Sequence, residues 1–426
     1  MLRTYILIAA AALLLAACQS ALPVQPNAEE PTYTGTLRVG LHGERWARDP
    51  YPAGADGWAN QTLQERSKMF MEQYPGVEIE FVNVAYDRNF EQILADPGLM
   101  PDILELTVFE ARLVRDRIES LAQRIEAEAV RWQGDYMNVI ELAKVDGDSI
   151  LLPLTSDPLL VFYETNVLAS NGVPLPEEGW TLVDFAAAGQ QLTQAGHGVG
   201  HALTLNAMEP FINGLGGQFM SADGRITGVF DSEASVQAFV RYAELLQAAS
   251  GDGQAPSGPV ETVLRVERAS STSSTLGRYS AAPLPDAPDG KRYNNALMTG
   301  LAILKDSRQH ELAWEYMRYV LGESSDEALD NVVLYTLEKF GRTLNFRNGQ
   351  EAPQVFEDTK RWMRHEITFA PPAAFDLVWY DGNREGLAPQ RPLQQLYGYT
   401  NAEAAKSDLA LWAQELQAHA EALSAP

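Results

Sequence analysis

The chain has 426 residues, of which 46% are hydrophobic and 21% are charged, and its formal net charge is −25. This length exceeds that of one ordinary hydrophobic core, so we expect two packed domains. So acidic a chain is repelled by phosphate backbones and anionic lipid surfaces, which excludes nucleic acid as a partner. The sequence contains no phosphate-binding loop, nucleophile elbow or Asp-rich calcium loop.

The N-terminal segment carries the single cysteine of the chain. Cys18 follows Ala16 and Ala17 and an apolar run that begins at Tyr5, with Arg3 before it. A basic start, a hydrophobic stretch too short to span a bilayer and small residues before a cysteine resemble a bacterial lipoprotein signal peptide. The resemblance implies export, cleavage before Cys18 and a lipid on its sulfur. The alternatives are an ordinary secretory signal with an incidental cysteine and a weak membrane anchor.

The elements that follow begin with a tether and a strand. Residues 19–34 are rich in Pro, Ala, Gln and Glu and predict a flexible tether. Alternating apolar residues predict strands at 36–41 and 77–81, residues 101–106 predict a third strand, and helical spacing predicts a helix over 58–74. A strand, helix, strand, helix, strand order indicates a parallel α/β sheet.

Helix starts are readable further along the chain. Thr181 and Asp184 predict a capping box, and Asp231 to Glu233 open a second helix. Thr400 and Glu403 predict the start of the last helix, whose buried stripe would contain Leu409, Trp412, Leu416 and Leu423. Residues 250–259 are rich in Gly, Pro and Ser and predict a surface loop.

Several short motifs occur in one order along the chain. They are Tyr74-Pro75-Gly76-Val77, Pro101-Asp102-Ile103, Leu152-Pro153-Leu154, Trp180-Thr181, Gly216-Gly217 and Thr299-Gly300-Leu301. Together they resemble the extracellular solute-binding proteins of family 1, which include maltose-binding protein, over almost all of the chain after residue 35. The resemblance implies an α/β, two-lobed periplasmic-binding-protein-like (type II) fold with a hinge and an interlobe cleft.

The resemblance also implies how the chain is divided. Residues 1–18 would be the signal peptide and lipobox, and residues 19–34 the tether. Lobe 1 would hold residues 35–154 plus 297–340, and lobe 2 would hold residues 155–296 plus 341–426. The chain would pass between the lobes near residues 153–158, 296–299 and 337–343.

The function that the resemblance implies is capture of a small polar solute, a mono- or oligosaccharide, for an ABC importer. The partners would be the importer's permease subunits and the membrane, through the lipid on Cys18; we expect a monomer with no catalytic activity, cofactor or metal. One alternative is another solute class, peptide-like or a polyol phosphate held by Arg45, Arg268 and Arg278. The others are a sensor or adhesin without an importer, and an anchored glycoside hydrolase.

The resemblance places candidate ligand-binding residues on both lobes. Glu44 and Arg45 match an acidic and basic pair that contacts sugar, Trp46 adds a ring, and Asp157 takes the place of a hinge acid. For the first pair the alternative is a solvated turn, and for Asp157 it is a hinge cap or salt bridge. Phe109 stands where maltose-binding proteins have a charged residue, so a different cleft lining is expected there.

The remaining candidates are an acid and three rings. Glu209 and Phe211 match a Glu-Pro-aromatic turn, and Trp379 and Tyr380 match a late segment with a stacking Trp. Rings stack on the apolar C–H faces of a sugar, and carboxylates and amides bind its hydroxyls. Core packing is the alternative for Phe211, and a buried Trp is the alternative for Trp379. Glycines around His197 and His201 argue against a helical metal site there.

Overall fold

The computed structural model describes residues 32–42, 61–84, 96, 100–200, 205–221, 223–250, 262–274, 279–340, 354–374, 399 and 401–424. The predicted signal peptide with Cys18, most of the predicted tether and most of the predicted loop 250–259 lie outside this part of the chain. Among the described residues, no helix combines the length and the apolar character that crossing a membrane requires.

Strands and helices alternate through the first half of the described chain. In order they are β1 Gly35–His42, α1 Gln61–Gln73, β2 Val77–Val84, β3 Ile103–Thr107, α2 Val108–Leu113, α3 Ala122–Ala127, α4 Ala129–Trp132, α5 Asp135–Leu142, β4 Leu152–Tyr163, α6 Thr165–Ser170, α7 Leu182–Gln194, β5 Gly198–Gly200 and α8 Leu205–Gly214.

The second half of the described chain has one long helix, three strands and then four helices. Its elements are α9 Glu233–Ser250, β6 Thr262–Arg268, β7 Ser280–Ala282, β8 Ala296–Ile303, α10 His310–Leu321, α11 Ser325–Phe340, α12 Gln354–Glu366 and α13 Ala402–Ser424. A short 3-10 turn, Ala269–Ser274, follows β6 directly.

One curled sheet connects the two halves of the molecule. In the described part its order is β2-β1-β3-β8-β4-β6-β5, and β7 also pairs with β4. β1 runs parallel to β2 and β3, whereas β8 runs antiparallel to both β3 and β4. β5 and β6 also run parallel to each other. The sheet is therefore mixed, and the parallel arrangement predicted from the first three strands is found in β1, β2 and β3.

β4 carries the sheet from one half to the other. Residues 152–158 of this strand pair with β8, and residues 159–163 pair with β6. All twelve residues of β4 are buried. A strand that is covered on both faces is built mainly from apolar residues, and β4 has this character on either side of the polar Thr155, Ser156 and Asp157.

Separate hydrophobic cores lie on the two sides of the point where β4 changes its pairing partner. One core contains side chains of β1, α1, α10 and α11, among them Leu37, Phe70, Tyr316 and Val332. Another surrounds α7, α8, α9 and α13 and includes Phe211, Phe230, Phe239 and Trp412. A smaller core, with Leu106, Val145 and Ile150, covers the other face of the first half of the sheet.

The packing of α12 differs from what the predicted lobe limits imply. Val355 and Met363 of this helix join the core around β1 and α11, although residues after 340 were expected in lobe 2. The predicted lobe limits stay predictions, since the structure shows only where each segment packs.

Helix starts agree with the capping patterns where they are described. Thr181 Oγ1 accepts a hydrogen bond from Asp184 N at 3.2 Å, and the Asp184 carboxylate accepts one from Thr181 N at 2.9 Å, which is the predicted capping box. Ser232 Oγ accepts from Ser235 N at the start of α9. At α13, Asn401 Oδ1 accepts from Ala404 N at 2.9 Å, and the expected cap Thr400 lies outside the described residues.

Candidate functional site

A cavity of about 450 Å³ opens at the C-terminal end of α8. Its wall is formed by α8, by the Gly-Gly turn that follows it and by one ring from the segment before β8. The lining residues are Glu209, Asn213, Gly216, Gly217, Gln218, Phe219, Met220 and Tyr293. Most of the exposed lining is polar, which suits a ligand rich in hydroxyl groups.

A second cavity of about 210 Å³ adjoins the first, and Met220 lines both. Side chains from both halves of the molecule face it. One half contributes Val108, Phe109, Arg112, Leu142 and Lys144, and the other contributes Met220, Ser221, Pro372, Ala373 and Ala374. This cavity lies between the two cores and corresponds in position to an interlobe cleft.

Glu209 is the buried acid of the larger cavity. Its side chain is only 7% exposed, and its Oε2 accepts hydrogen bonds from Asn295 Nδ2 at 2.5 Å and from Ala374 N at 3.0 Å. Among the described residues, its Oε1 has no partner. Burial raises the pKa of Glu209 to about 7, although these two hydrogen bonds and the nearby Arg268 charge lower it. One oxygen of this carboxyl group is thus available to a ligand.

Phe109 and Arg112 share one face of α2. Thr107 ends β3 and caps α2, since its Oγ1 accepts from Glu110 N at 3.1 Å while Glu110 Oε2 accepts from Thr107 N at 2.8 Å. Residues three apart on a helix lie on the same side, so this fixed start directs both Phe109 and Arg112 into the smaller cavity.

Asp157 lies inside the molecule, where β4 changes partners. Its side chain is 1% exposed, and its two oxygens accept hydrogen bonds from Ser270 N at 3.0 Å and Ser270 Oγ at 2.6 Å. Burial raises the pKa of Asp157, while the Arg268 charge and the bonds from Ser270 oppose the shift. This geometry is that of a cap on the 3-10 turn after β6. The prediction that Asp157 contacts the solute stays a prediction.

Phe211 packs into the second core. Its ring stacks on Tyr242, with centroids 5.3 Å apart and an interplanar angle of 22°, and it is 4% exposed. It also lines a small crevice together with Leu182 and Tyr293. The structure therefore gives Phe211 the packing of a core residue, and a contact between its ring and the solute stays a prediction.

Glu44, Arg45, Trp46, Trp379, Tyr380 and Cys18 lie outside the described residues. The structure thus brings Phe109 and Glu209 to adjoining cavities and puts Asp157 and Phe211 in buried positions nearby.

The sequence did not single out Arg112, Lys144, Met220 or Tyr293 as cavity residues. Only Arg112 has a local signal, because it lies one helical turn after Phe109 in a helix whose capping box is visible in the sequence. The others reach the cavities through long-range packing. In the described part of the chain, no three His, Cys, Asp or Glu side chains are close enough together to hold a metal ion.

Comparison with known proteins identifies the family. Residues 52–327 match the family described as bacterial extracellular solute-binding protein. The chain belongs to this family. It is therefore a binding protein of the exported, non-enzymatic kind. No curated protein sequence matches the chain significantly.

Solved structures of low sequence identity share the fold. A family 1 solute-binding protein from Alicyclobacillus acidocaldarius is 15% identical with a TM-score of 0.65, over 91% of this chain and 100% of that one. The sugar-binding protein MalE from Xanthomonas citri is also 15% identical, with a TM-score of 0.65 over 91% and 98%. Maltose-bound MalE3 from T. maritima is 19% identical, with a TM-score of 0.58 over 89% and 99%. The predicted two-lobed type II fold is confirmed.

Proposed function

We propose that this protein binds a sugar between its two lobes and delivers it to the permease subunits of an ABC importer. In this proposal a lipid on Cys18 holds the exported monomer at the membrane. The sugar assignment is supported by relatives with the same fold, which include a sugar-binding MalE and a maltose-bound MalE3. The proposal also rests on the chemistry of the two adjoining cavities.

The observation that carries the proposal is the Glu209 carboxyl group. A buried acid with one oxygen free in a polar cavity needs a donor from the ligand, because desolvation without a partner is costly. A sugar hydroxyl is such a donor. Asn213 and Tyr293 line the same cavity and add polar groups for further hydroxyls.

The smaller cavity supplies the apolar contact that a sugar face requires. Phe109, Leu142 and Met220 form part of its wall, and a ring such as that of Phe109 can stack on the C–H face of a pyranose. Because the walls of this cavity come from both halves of the chain, a bound solute favours the closed arrangement by as much as it binds that arrangement better.

Isothermal titration tests the sugar assignment. The protein purified after export is titrated with mono- and oligosaccharides, polyols, amino acids and short peptides. We expect heat with at least one sugar. Heat with amino acids or peptides, together with none for any sugar or polyol, would refute the assignment.

Glu209→Gln tests the site. Its affinity for the sugar so identified should fall about tenfold or more, because hydrogen bonds to charged groups are worth roughly 1.5–3 kcal/mol. Glu415→Gln, the same change on the exposed surface of α13, is the matched control and should bind like the unchanged protein. Equal affinity in both variants would remove Glu209 from the site.

Cys18→Ser tests the anchor. The unchanged protein should partition with membranes and incorporate a labelled fatty acid, whereas the exported Cys18→Ser protein should do neither. Membrane partitioning that is the same for both would argue against lipidation at this residue.

A further inference from the structure

Two cationic side chains line the smaller cavity, and neither takes part in the proposed contact between Glu209 and the sugar. Arg112 and Lys144 both line it. Arg112 Nε lies 3.2 Å from Asp146 Oδ1. Among the described residues, the outer guanidinium nitrogens Nη1 and Nη2 have no hydrogen-bond partner. Nη1 also reaches the other side of the cavity, since a Cβ built on Gly224 would lie 3.9 Å from it.

The acids beside these cations are weak competitors for a ligand. The side chain of Asp146 is 61% exposed, and that of Glu141, whose Oε2 lies 2.7 Å from Lys144 Nζ, is 55% exposed. Exposed pairs of this kind contribute only about 0–1 kcal/mol. Both cations can therefore turn to a ligand at little cost.

The opposite wall offers Arg112 no better partner. Asp223 lies in the turn beside Gly224, but its carboxylate is hydrogen-bonded by Ser221 Oγ. That hydrogen bond lowers the pKa of Asp223. The Asp223 carboxylate is exposed and held within its own turn, so water screens its charge from Arg112.

The surroundings strengthen the attraction between the two cations and a negatively charged group. Phe109, Leu142 and Met220 line the cavity next to them, and apolar walls weaken screening by water. The free edge of a guanidinium matches the two oxygens of a carboxylate or phosphate, which it binds through two parallel hydrogen bonds. A neutral hydroxyl uses only one of them.

The two cavities have opposite charge preferences. Glu209 lines the larger cavity, Arg112 and Lys144 line the smaller one, and Met220 lies on the wall of both. A negative group would be repelled by an ionised Glu209 and attracted by the two cations. An anionic solute is thus favoured in one orientation, in which its negative group lies in the smaller cavity.

We infer that the solute is an acidic sugar, whose carboxylate or phosphate binds Arg112 and Lys144 while its hydroxyl groups bind Glu209. This inference rests on the proposed sugar-binding function and narrows its substrate class. The two sources of negative charge are a uronate and a sugar phosphate.

Titration of matched pairs distinguishes them. Galacturonate, its dimer and glucuronate are compared with galactose, galactobiose and glucose, and glucose 6-phosphate is compared with glucose. At least one acidic sugar should bind at least roughly tenfold more tightly than its neutral parent, and its affinity should fall as salt rises. Binding of the uronates alone or of the phosphate alone identifies the anionic group.

Variants locate the effect. Arg112→Gln should weaken binding of the acidic sugar roughly ten- to a hundredfold and binding of the neutral parent by a much smaller factor, and Lys144→Gln should act in the same direction. Asp146→Asn should strengthen acidic binding because it removes the competing acid, a gain that misfolding could not produce. Arg225→Gln, in the turn on the other side of the cavity, is the control and should leave both affinities unchanged.

The outcomes separate this inference from the proposed function. Neutral parents that bind as tightly as the acidic sugars would overturn the inference and leave sugar binding intact, as would equal behaviour of Arg112→Gln and Arg225→Gln. Binding of amino acids or peptides with no sugar of either kind would refute both.

Discussion

Glu105 and Lys339 form a buried ion pair in which Lys339 Nζ donates to Glu105 Oε1. Both side chains are almost fully inaccessible to solvent. Thr299 Oγ1 donates to the same carboxylate oxygen, and Thr155 and Thr299 share a hydrogen bond of 2.6 Å. One polar chain therefore connects β3, the end of α11, and the two strands, β8 and β4, that pair where the sheet passes between the halves.

Lys339→Met should destabilise the protein by about 3–5 kcal/mol, because it leaves the buried Glu105 charge without its cation. The measurement is urea unfolding at pH 7. Lys360→Met is the matched control. Lys360 Nζ lies 3.7 Å from Glu357 Oε2 at the surface, so its loss should cost less than about 1 kcal/mol.

The double variant Lys339→Met with Glu105→Leu should recover most of the lost stability. An apolar pair of similar volume does not require desolvation of two charges. Unfolding midpoints that are the same for Lys339→Met and Lys360→Met would show that the buried ion pair contributes no more to stability than the exposed one.

Gly189→Ala should lower stability, although Gly to Ala in a helix ordinarily gains up to about 1 kcal/mol. A Cβ on Gly189 would lie 2.7 Å from Ala249 Cβ and 3.2 Å from Ala249 Cα, where α7 and α9 pack. Overpacking of this kind typically costs about 1–3 kcal/mol. Thermal unfolding gives the sign, and a second change, Ala249→Gly, should restore the midpoint. A Gly189→Ala protein more stable than the original would contradict this packing.

The fold was more predictable than the site, for reasons visible in particular residues. β1 and β2 alternate clearly, and the Thr181–Asp184 capping box depends on local chemistry, so these features were predicted correctly from the sequence. The antiparallel placement of β8 next to β3 depends on contacts almost 200 positions apart, which no local pattern encodes. Glu209 was found through its motif, whereas Lys144 and Tyr293 reach the cavities only through tertiary packing. Phe211 shows the limit of a motif, because the structure packs its ring on Tyr242.

Asp157→Asn and Ser270→Ala together distinguish a hinge cap from a solute contact. Asparagine can still accept from Ser270 N, but its amide group can only donate to Ser270 Oγ and it lacks the charge that attracts Arg268, so Asp157→Asn should cost about 1–3 kcal/mol of stability. Ser270→Ala removes only the hydroxyl bond and should cost about 0.5–1.5 kcal/mol. If Asp157 only caps the turn, any loss of sugar affinity should appear in both variants. A loss of affinity in Asp157→Asn alone would indicate direct contact with the solute.

The buried carboxyl groups predict that stability falls as pH rises through the range 4.5–7. Burial raises the pKa of Glu209 to about 7, and it raises the pKa of Glu338 to about 7 although Thr62 donates to that carboxylate. The unfolded value in each case is 4.5. The folded state binds these protons more tightly, so their stabilisation is complete below pH 4.5 and is lost as pH rises through 7.

For the buried Glu209 the loss is on the order of 3 kcal/mol, and it is measured as the difference in unfolding free energy between pH 5 and pH 8. Glu209→Gln should reduce this difference, because glutamine cannot ionise and its carbonyl oxygen can still accept from Ala374 N. Glu80→Gln, in the surface pair with Arg38, is the control and should keep the original difference. If the change in unfolding free energy between pH 5 and pH 8 is the same in Glu209→Gln and in the unchanged protein, Glu209 ionises in the folded state at no cost. The free oxygen of Glu209 would then lack the desolvation that makes it a strong acceptor for a ligand.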